Sequence, residues 1–207
     1  AGWCGQSSSS ISFSSSTLRQ LAREEIIEFP VVKVDSSTLA LEATFHRYVK
    51  PVERPELTPF CTELTGIIQE MVENCNRVEE VLSEFYRWMT QEIPEGKSFC
   101  FVTCGDWDLK VMLPSEAQAK NIPLPSYFNQ WINIKKSFCE KNNKFPRGIR
   151  DMLSHYGIRH EGRLHSGIDD VKNICSIVRA LVESGHILSP HSNEEESRRS
   201  FSAKWNA

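Results

Sequence analysis

Residues 98–109 read Ser98-Phe99-Cys100-Phe101-Val102-Thr103-Cys104-Gly105-Asp106-Trp107-Asp108-Leu109. The run from Ser98 to Thr103 is short and nearly all apolar, which suits an interior strand covered on both faces. The acids that follow, Asp106 and Asp108, open a helix running toward Leu113, because a helix N-terminus favours negative charge. A buried strand giving way to a helix within a few residues is the building unit of α/β folds. Ligand sites in open α/β sheets collect at such strand ends.

The flanking segments agree. Upstream, Glu25 to Val34 is rich in β-branched residues, Asp35-Ser36-Ser37-Thr38 supplies a turn, and Leu41 to Lys50 alternates through Phe45, Tyr48 and Val49. This predicts a β-hairpin that Pro51 and Pro55 end. Phe60 to Ile67 is a short helical or turn segment closed by Gly66. Val78, Val81, Leu82, Phe85, Trp88 and Met89 fall at three- and four-residue steps and predict an amphipathic helix, broken at Pro94-Glu95-Gly96-Lys97. Downstream, Tyr127, Phe128, Trp131, Ile132 and Ile134 form another helical pattern. Ile149 to Tyr156 is a short helix ended by Gly157. Asp169 to Glu183 carries one stripe of Val171, Ile174, Cys175, Val178, Leu181 and Val182, with Gly185 as its cap. From Ser189 onward no buried periodicity remains, and disorder is expected. The sum is an α/β domain: a mixed sheet flanked by helices on both faces.

Bulk properties set limits on function. The 207 residues are 40% hydrophobic and 25% charged, ordinary for a globular chain. A net charge of −3 supplies no whole-protein basic field, so a nucleic-acid partner must be held by a local patch or by metal ions. No apolar run approaches the ~20 residues of a membrane span. The seven cysteines include no Cys-x-x-Cys pair and sit mostly among apolar residues, as reduced thiols of an intracellular, cytoplasmic or nuclear protein do. The first 23 residues lack acids, are Ser-rich and carry Arg19 and Arg23, which leaves organelle targeting open.

Chemistry concentrates in two stretches. In Thr103 to Leu109 an aspartate can be a ligand-site carboxylate or a helix cap. In His165-Ser166-Gly167-Ile168-Asp169-Asp170 the histidine lies five residues before Asp170 across a small-residue turn. That spacing can set an imidazole beside a carboxylate, an arrangement suited to a water nucleophile attacking near a metal ion. The alternative is capping by Asp169 or Asp170, with His165 a surface residue.

Taken together, these stretches make the chain resemble the Eri-type branch of the DEDDh 3′–5′ exonucleases, from about Glu25 to Leu188. Glu25-Ile26-Ile27-Glu28-Phe29-Pro30, Phe60 to Ile67, Gly105 to Leu109, Tyr127-Phe128 with Trp131-Ile132-Asn133, and Gly162 to Asp170 all carry the likeness. The resemblance implies a ribonuclease-H-like fold and hydrolysis of phosphodiester bonds at single-stranded RNA 3′ ends. It further implies two divalent ions, Mg²⁺ or Mn²⁺, held by four carboxylates. By motif position the third carboxylate is Asp108, following Trp107, the fourth is Asp170, and His165 is the general base. Trp107 and the Leu64-Thr65-Gly66 turn are implied to lie near the terminal nucleotide, where an aromatic face accepts any base. For Trp107 packing in the core is an equal alternative, and Lys135 and Lys136 are a solvated helix face or RNA-backbone contacts.

The first two carboxylates of that family form an Asp-aromatic-Glu triplet about a dozen residues before the Glu25 segment. Counting back lands on Ser12-Phe13-Ser14, inside Ser7 to Thr17, with serine at both acidic positions. Glu42-Ala43-Thr44 imitates the triplet but lies in the hairpin. Neutral hydroxyls are weak ligands for hard cations, so the expected metal site is incomplete. Two accounts follow: a catalytically inactive RNA-binding or protein-interaction module on this scaffold, or an N-terminus that is a truncated or alternatively spliced product. The expected organisation is an atypical Ser-rich segment at 1–24, an exonuclease domain at 25–188 and a polar tail at 189–207.

Overall fold

The computed structural model describes residues 25–192. The hairpin forms where the β-branched run predicts it. Strand β1 (Glu28–Val34) pairs antiparallel with β2 (Leu41–Tyr48), with Val31 opposite Phe45 and a register shift between Lys33 and Val34. The turn is closed by Asp35, whose Oδ1 accepts from the Ser37 and Thr38 amides at 3.0 and 2.6 Å. Glu42, in the triplet-like Glu42-Ala43-Thr44, lies on β2 and spends its carboxylate on Lys33 at 3.0 Å.

A proline-rich passage leads to helix α1 (Pro59–Thr65), capped by Thr58 and ended by Gly66 at φ +79°, and to the single turn α2 (Gln69–Val72). The amphipathic pattern becomes α3 (Val78–Glu92), which buries Val78, Val81, Phe85 and Met89. Strand β3 (Phe101–Thr103) follows, then a π-helical turn (Asp108–Met112) running into α4 (Leu113–Ala119). The acid at the helix entry is therefore Asp108.

Two expectations from the sequence are corrected. The pattern from Tyr127 to Ile134 is not a helix but a 3₁₀ turn (Ser126–Asn129), strand β4 (Gln130–Asn133) and the start of α5 (Ile134–Asn142). A short apolar run carries no period of its own, and here the parallel partner decides: Phe101, Val102 and Thr103 pair with Trp131, Ile132 and Asn133. The segment after Ser189 is not wholly irregular, because β5 (His191–Ser192) pairs antiparallel with β4. The chain between them forms α6 (Ile149–His155) and the long α7 (Gly167–Glu183).

Strand pairing divides the described residues into a two-stranded sheet, β1-β2, and a three-stranded sheet, β3-β4-β5. One apolar cluster, built on Phe29, Phe45, Phe85 and Phe128, packs α3 against the sheets, and Phe101 and Trp107 join its border. A second, built on Ile134, Phe138, Met152, Ile177 and Leu181, packs α5, α6 and α7 together, with Val102 and Cys104 at its border. Thus consecutive β3 residues face opposite layers, and helices cover both sides. The six described cysteines form no disulfide with one another, and burial pushes Cys104 up to about 12. No helix among the described residues is long and apolar enough to cross a membrane.

Candidate active site

The C-terminal end of β3, the π-helical turn and the N-terminus of α7 meet at one cleft. Trp107, Asp108, His165 and Asp170 line a single cavity of about 2170 Å³. His165, with Leu64 and Arg163, also lines an adjoining cavity of about 480 Å³. Asp108, His165 and Asp170 thus line the same cleft, with Trp107 next to Asp108 in sequence and Leu64 sharing the adjoining cavity with His165. Thr65 is buried, its hydroxyl donating to the Cys61 carbonyl at 2.8 Å and accepting from the Ile67 amide at 3.1 Å. Gly66 lies under the Arg163 guanidinium: a Cβ there would sit 2.7 Å from Arg163 Nη1. Thr65 and Gly66 therefore shape the turn that presents Leu64. Trp107 is half-buried and serves both as cavity wall and as edge of the aromatic cluster.

The two aspartates of the β3 exit have different tasks. Asp106 accepts from Trp131 Nε1 at 3.0 Å and Asn133 Nδ2 at 2.8 Å, and it pairs with Lys136 at 3.0 Å. Its carboxylate latches the loop to β4, which leaves Asp108 as the acid facing the cleft. Lys136 is accordingly an ion-pair partner, and Lys135 donates to the Arg147 carbonyl at 3.3 Å while lining the cleft.

His165 is exposed and holds a left-handed backbone, φ +63°, a conformation disfavoured for an L-residue and held by the structure around it. Its loop is pinned on both sides. Arg163 donates through Nη2 to the Glu63 carbonyl at 2.6 Å, and its amide donates to Asp169 at 2.9 Å. Gly162 closes against the Asp169 carboxyl so tightly that no side chain fits between them. Asp169 therefore braces the loop rather than capping the helix.

The cap of α7 comes from elsewhere. Ser166 makes no side-chain cap bond. Glu28 of β1, buried at 1% exposure, accepts from the Gly167 amide at 2.9 Å and the Ile168 amide at 3.1 Å, and it contacts His46 Nε2 at 2.9 Å. Burial pushes its carboxyl upward, but the His46 contact and the Gly167 amide outweigh that and hold it below the usual carboxylate range. Sequence patterning missed Glu28 because its partners are 139 and 140 residues away. It equally missed Arg163, which binds across 100 residues.

Asp170 is the electrostatic exception. Burial raises its carboxyl above the ordinary range against the opposing influence of His165 and His160. Its Oδ1 is buried with no hydrogen-bond partner among the described residues. Such an orphaned oxygen is the feature a cation or a donor would satisfy. Yet among the described residues no group of three or more His, Cys, Asp or Glu could hold a metal ion, so these donors do not complete a hard-cation site. Glu25 does not make up the deficit: it accepts from the Val52 and Arg54 amides and pairs with Lys120 at 2.9 Å. Ser12 and Ser14, the positions aligned with the absent acids, lie outside the described residues.

The chain is also similar to known proteins. Residues 16–178 match the RNase T exonuclease family. The chain is 49% identical over 173 residues to ERI1 exoribonuclease 3 of Homo sapiens, covering 82% of this chain and 51% of that protein. It is 39% identical over 178 residues to the 3′-5′ exonuclease Snipper of Drosophila melanogaster, covering 80% and 63%. Among solved structures, the nuclease domain of 3′hExo, a DEDDh family member bound to rAMP, superposes with a TM-score of 0.77 at 35% identity, covering 82% of this chain and 86% of that one. A 3′-exonuclease solved for 3′-end specific recognition of histone mRNA stem-loop gives 0.76 at 33%, covering 82% and 80%. The chain spans about half the length of the first of these relatives.

Proposed function

This chain belongs to the RNase T exonuclease family, with the ribonuclease-H-like α/β fold of the DEDDh nucleases, and from that premise we propose that it hydrolyses phosphodiester bonds at single-stranded RNA 3′ ends. The observation that supports the reading is that Asp108, His165 and Asp170 all line one cleft. Exonucleases of this family generally work with divalent metal ions, which activate water and stabilise the leaving oxygen. The residues described here supply two of the carboxylates such ions require.

What the chain's own groups do follows from their placement. His165, exposed at the junction of both cavities, takes the proton of the attacking water. Glu28, through the α7 amides, and Arg163, through Glu63, keep the histidine loop and Asp170 in register. Trp107 offers a ring face to the terminal base, a contact that tolerates any base. Leu64 bounds the nucleotide from the opposite side, with Thr65 and Gly66 holding its turn. Residues 25–188 form the exonuclease domain in this account, with Mg²⁺ or Mn²⁺ as the ions. Purified protein incubated with 3′-labelled single-stranded RNA and either ion should release label, and the Asp170→Asn variant should not. Retardation of the RNA on a gel with no shortening would overturn the catalytic reading in favour of a binding module.

A further inference from the structure

Three residues line both cavities of the candidate site: Arg150, Leu164 and His165. Arg150 belongs to α6 and is exposed, and among the described residues no hydrogen bond or ion pair holds its guanidinium. Other arginines spend theirs on the fold: Arg47 on Glu84 at 2.7 Å, Arg179 on the Leu39 carbonyl at 2.9 Å and Arg163 on the Glu63 carbonyl at 2.6 Å. A guanidinium left open where His165 also joins the two cavities has its whole fork of donors available to a phosphate.

The loop between α5 and α6, residues 143–148, continues the same character. Arg147 lines the larger cavity with its side chain 92% exposed, and its Nη2 stands 3.9 Å from Asp151 Oδ1. Lys144 shares that oxygen at 3.3 Å, while Asp151 Oδ2 accepts from the Arg147 amide at 3.1 Å. One carboxylate thus shapes the loop and offsets only part of the charge of Lys144, Arg147 and Arg150. Lys135 reaches the same loop, donating to the Arg147 carbonyl at 3.3 Å. In the chain between Lys144 and Arg147, Phe145 is 63% exposed, an apolar ring left in water. Rings interleaved with basic residues are what single-stranded nucleic acid binds, because bases stack on the rings while the cations meet the backbone.

We propose that residues 144–150 form a track for the RNA strand on the 5′ side of the scissile bond, an inference that rests on the reading of this chain as an RNA 3′-end exonuclease. Arg150 clamps the phosphate next to the one being cut, Arg147 meets the phosphate beyond it, and the Phe145 ring stacks on an unpaired base. Electrostatics call for such a border. The chain's net charge is −3 and the cleft itself presents Asp108 and Asp170, so a polyanion gains nothing from the overall field. Glu63 adds another acid to the smaller cavity. The basic loop supplies the attraction locally, through backbone and stacking contacts that are indifferent to base sequence.

Fluorescence anisotropy of a labelled single-stranded RNA of about 12 nucleotides, in EDTA and across about 50–200 mM salt, reads the track without any cleavage. Arg150→Ala should weaken binding about 10-fold and reduce the slope of log K against log salt by about 0.7, the loss of one single-strand phosphate contact. Arg150→Lys should restore the slope but not all of the affinity, since lysine keeps the charge and loses the fork. Phe145→Ala should weaken binding about 5-fold or more with the slope unchanged. Arg87→Ala removes the same charge from α3 outside both cavities and should leave the slope as it is. Equal slopes for wild type and Arg150→Ala would overturn the track. So would unaltered affinity in Phe145→Ala, since a duplex or an acidic protein needs the charges but no ring. Intact RNA shortening with equal slopes is the failure of the track alone, whereas these binding effects without shortening are the failure of the exonuclease reading.

Discussion

Replacing Glu28 with alanine tests the idea that β1 and α7 are locked together by one buried carboxylate. The substitution removes the acceptor for the Gly167 and Ile168 amides at the first turn of α7, and Ser166 supplies no substitute. Each buried donor left without a partner costs about 1–2 kcal/mol, so the loss is about 3 kcal/mol, His46 adding little because it is partly exposed. For a domain of this size that lowers the melting temperature by about 6–12 °C. Glu28→Gln keeps one carbonyl oxygen for one amide and should lose about half as much. The pH dependence separates charge from packing. The folded state holds the Glu28 carboxyl below its unfolded value of about 4.3, so its stabilisation is full above that pH and disappears as pH falls through the folded value. The gap between wild type and Glu28→Gln should therefore be largest near pH 7 and narrow below about pH 4. Thermal melts across pH 3–8 measure it. A loss under ~1 kcal/mol for Glu28→Ala, or a gap that widens in acid, would refute the reasoning.

Other perturbations follow from the same structure. Lys120 is half-buried between Glu25 at 2.9 Å and Glu116 at 2.6 Å, so Lys120→Met leaves two neighbouring carboxylates without their shared cation and should cost about 3 kcal/mol in denaturant titration. Gly66→Ala meets both the positive φ and the Arg163 guanidinium. It should cost about 1–3 kcal/mol and weaken the hold of Arg163 on Glu63, read as faster exchange in the His165 loop. Asp106→Asn should lower stability through Trp131, Asn133 and Lys136, and RNA shortening per folded molecule should change less than with Asp108→Asn.

Much of the fold is legible in the sequence because its determinants are local. The hairpin is written in a β-branched run and in Asp35, whose carboxylate organises its own turn. Helix α7 is written in an apolar stripe long enough to carry a helical period. Strand β4 is not legible, since Gln130 to Asn133 is too short to show any period and only its parallel pairing with β3 decides. The acids and histidine of the proposed site are legible as motif positions, whereas their supports are not. Glu28 and Arg163 act across a hundred residues or more, and no spacing rule along the chain connects a strand carboxylate to helix amides that distant.

The most direct measurement is the product ladder from 5′-labelled single-stranded RNA with Mn²⁺, followed in time beside Asp170→Asn. The account predicts stepwise shortening from the 3′ end by the wild-type chain and a rate at least ~10²-fold lower in the variant, because the proposed function puts the Asp170 carboxylate at the reacting phosphate. Internal cleavage, or shortening at equal rates by both proteins, would contradict it.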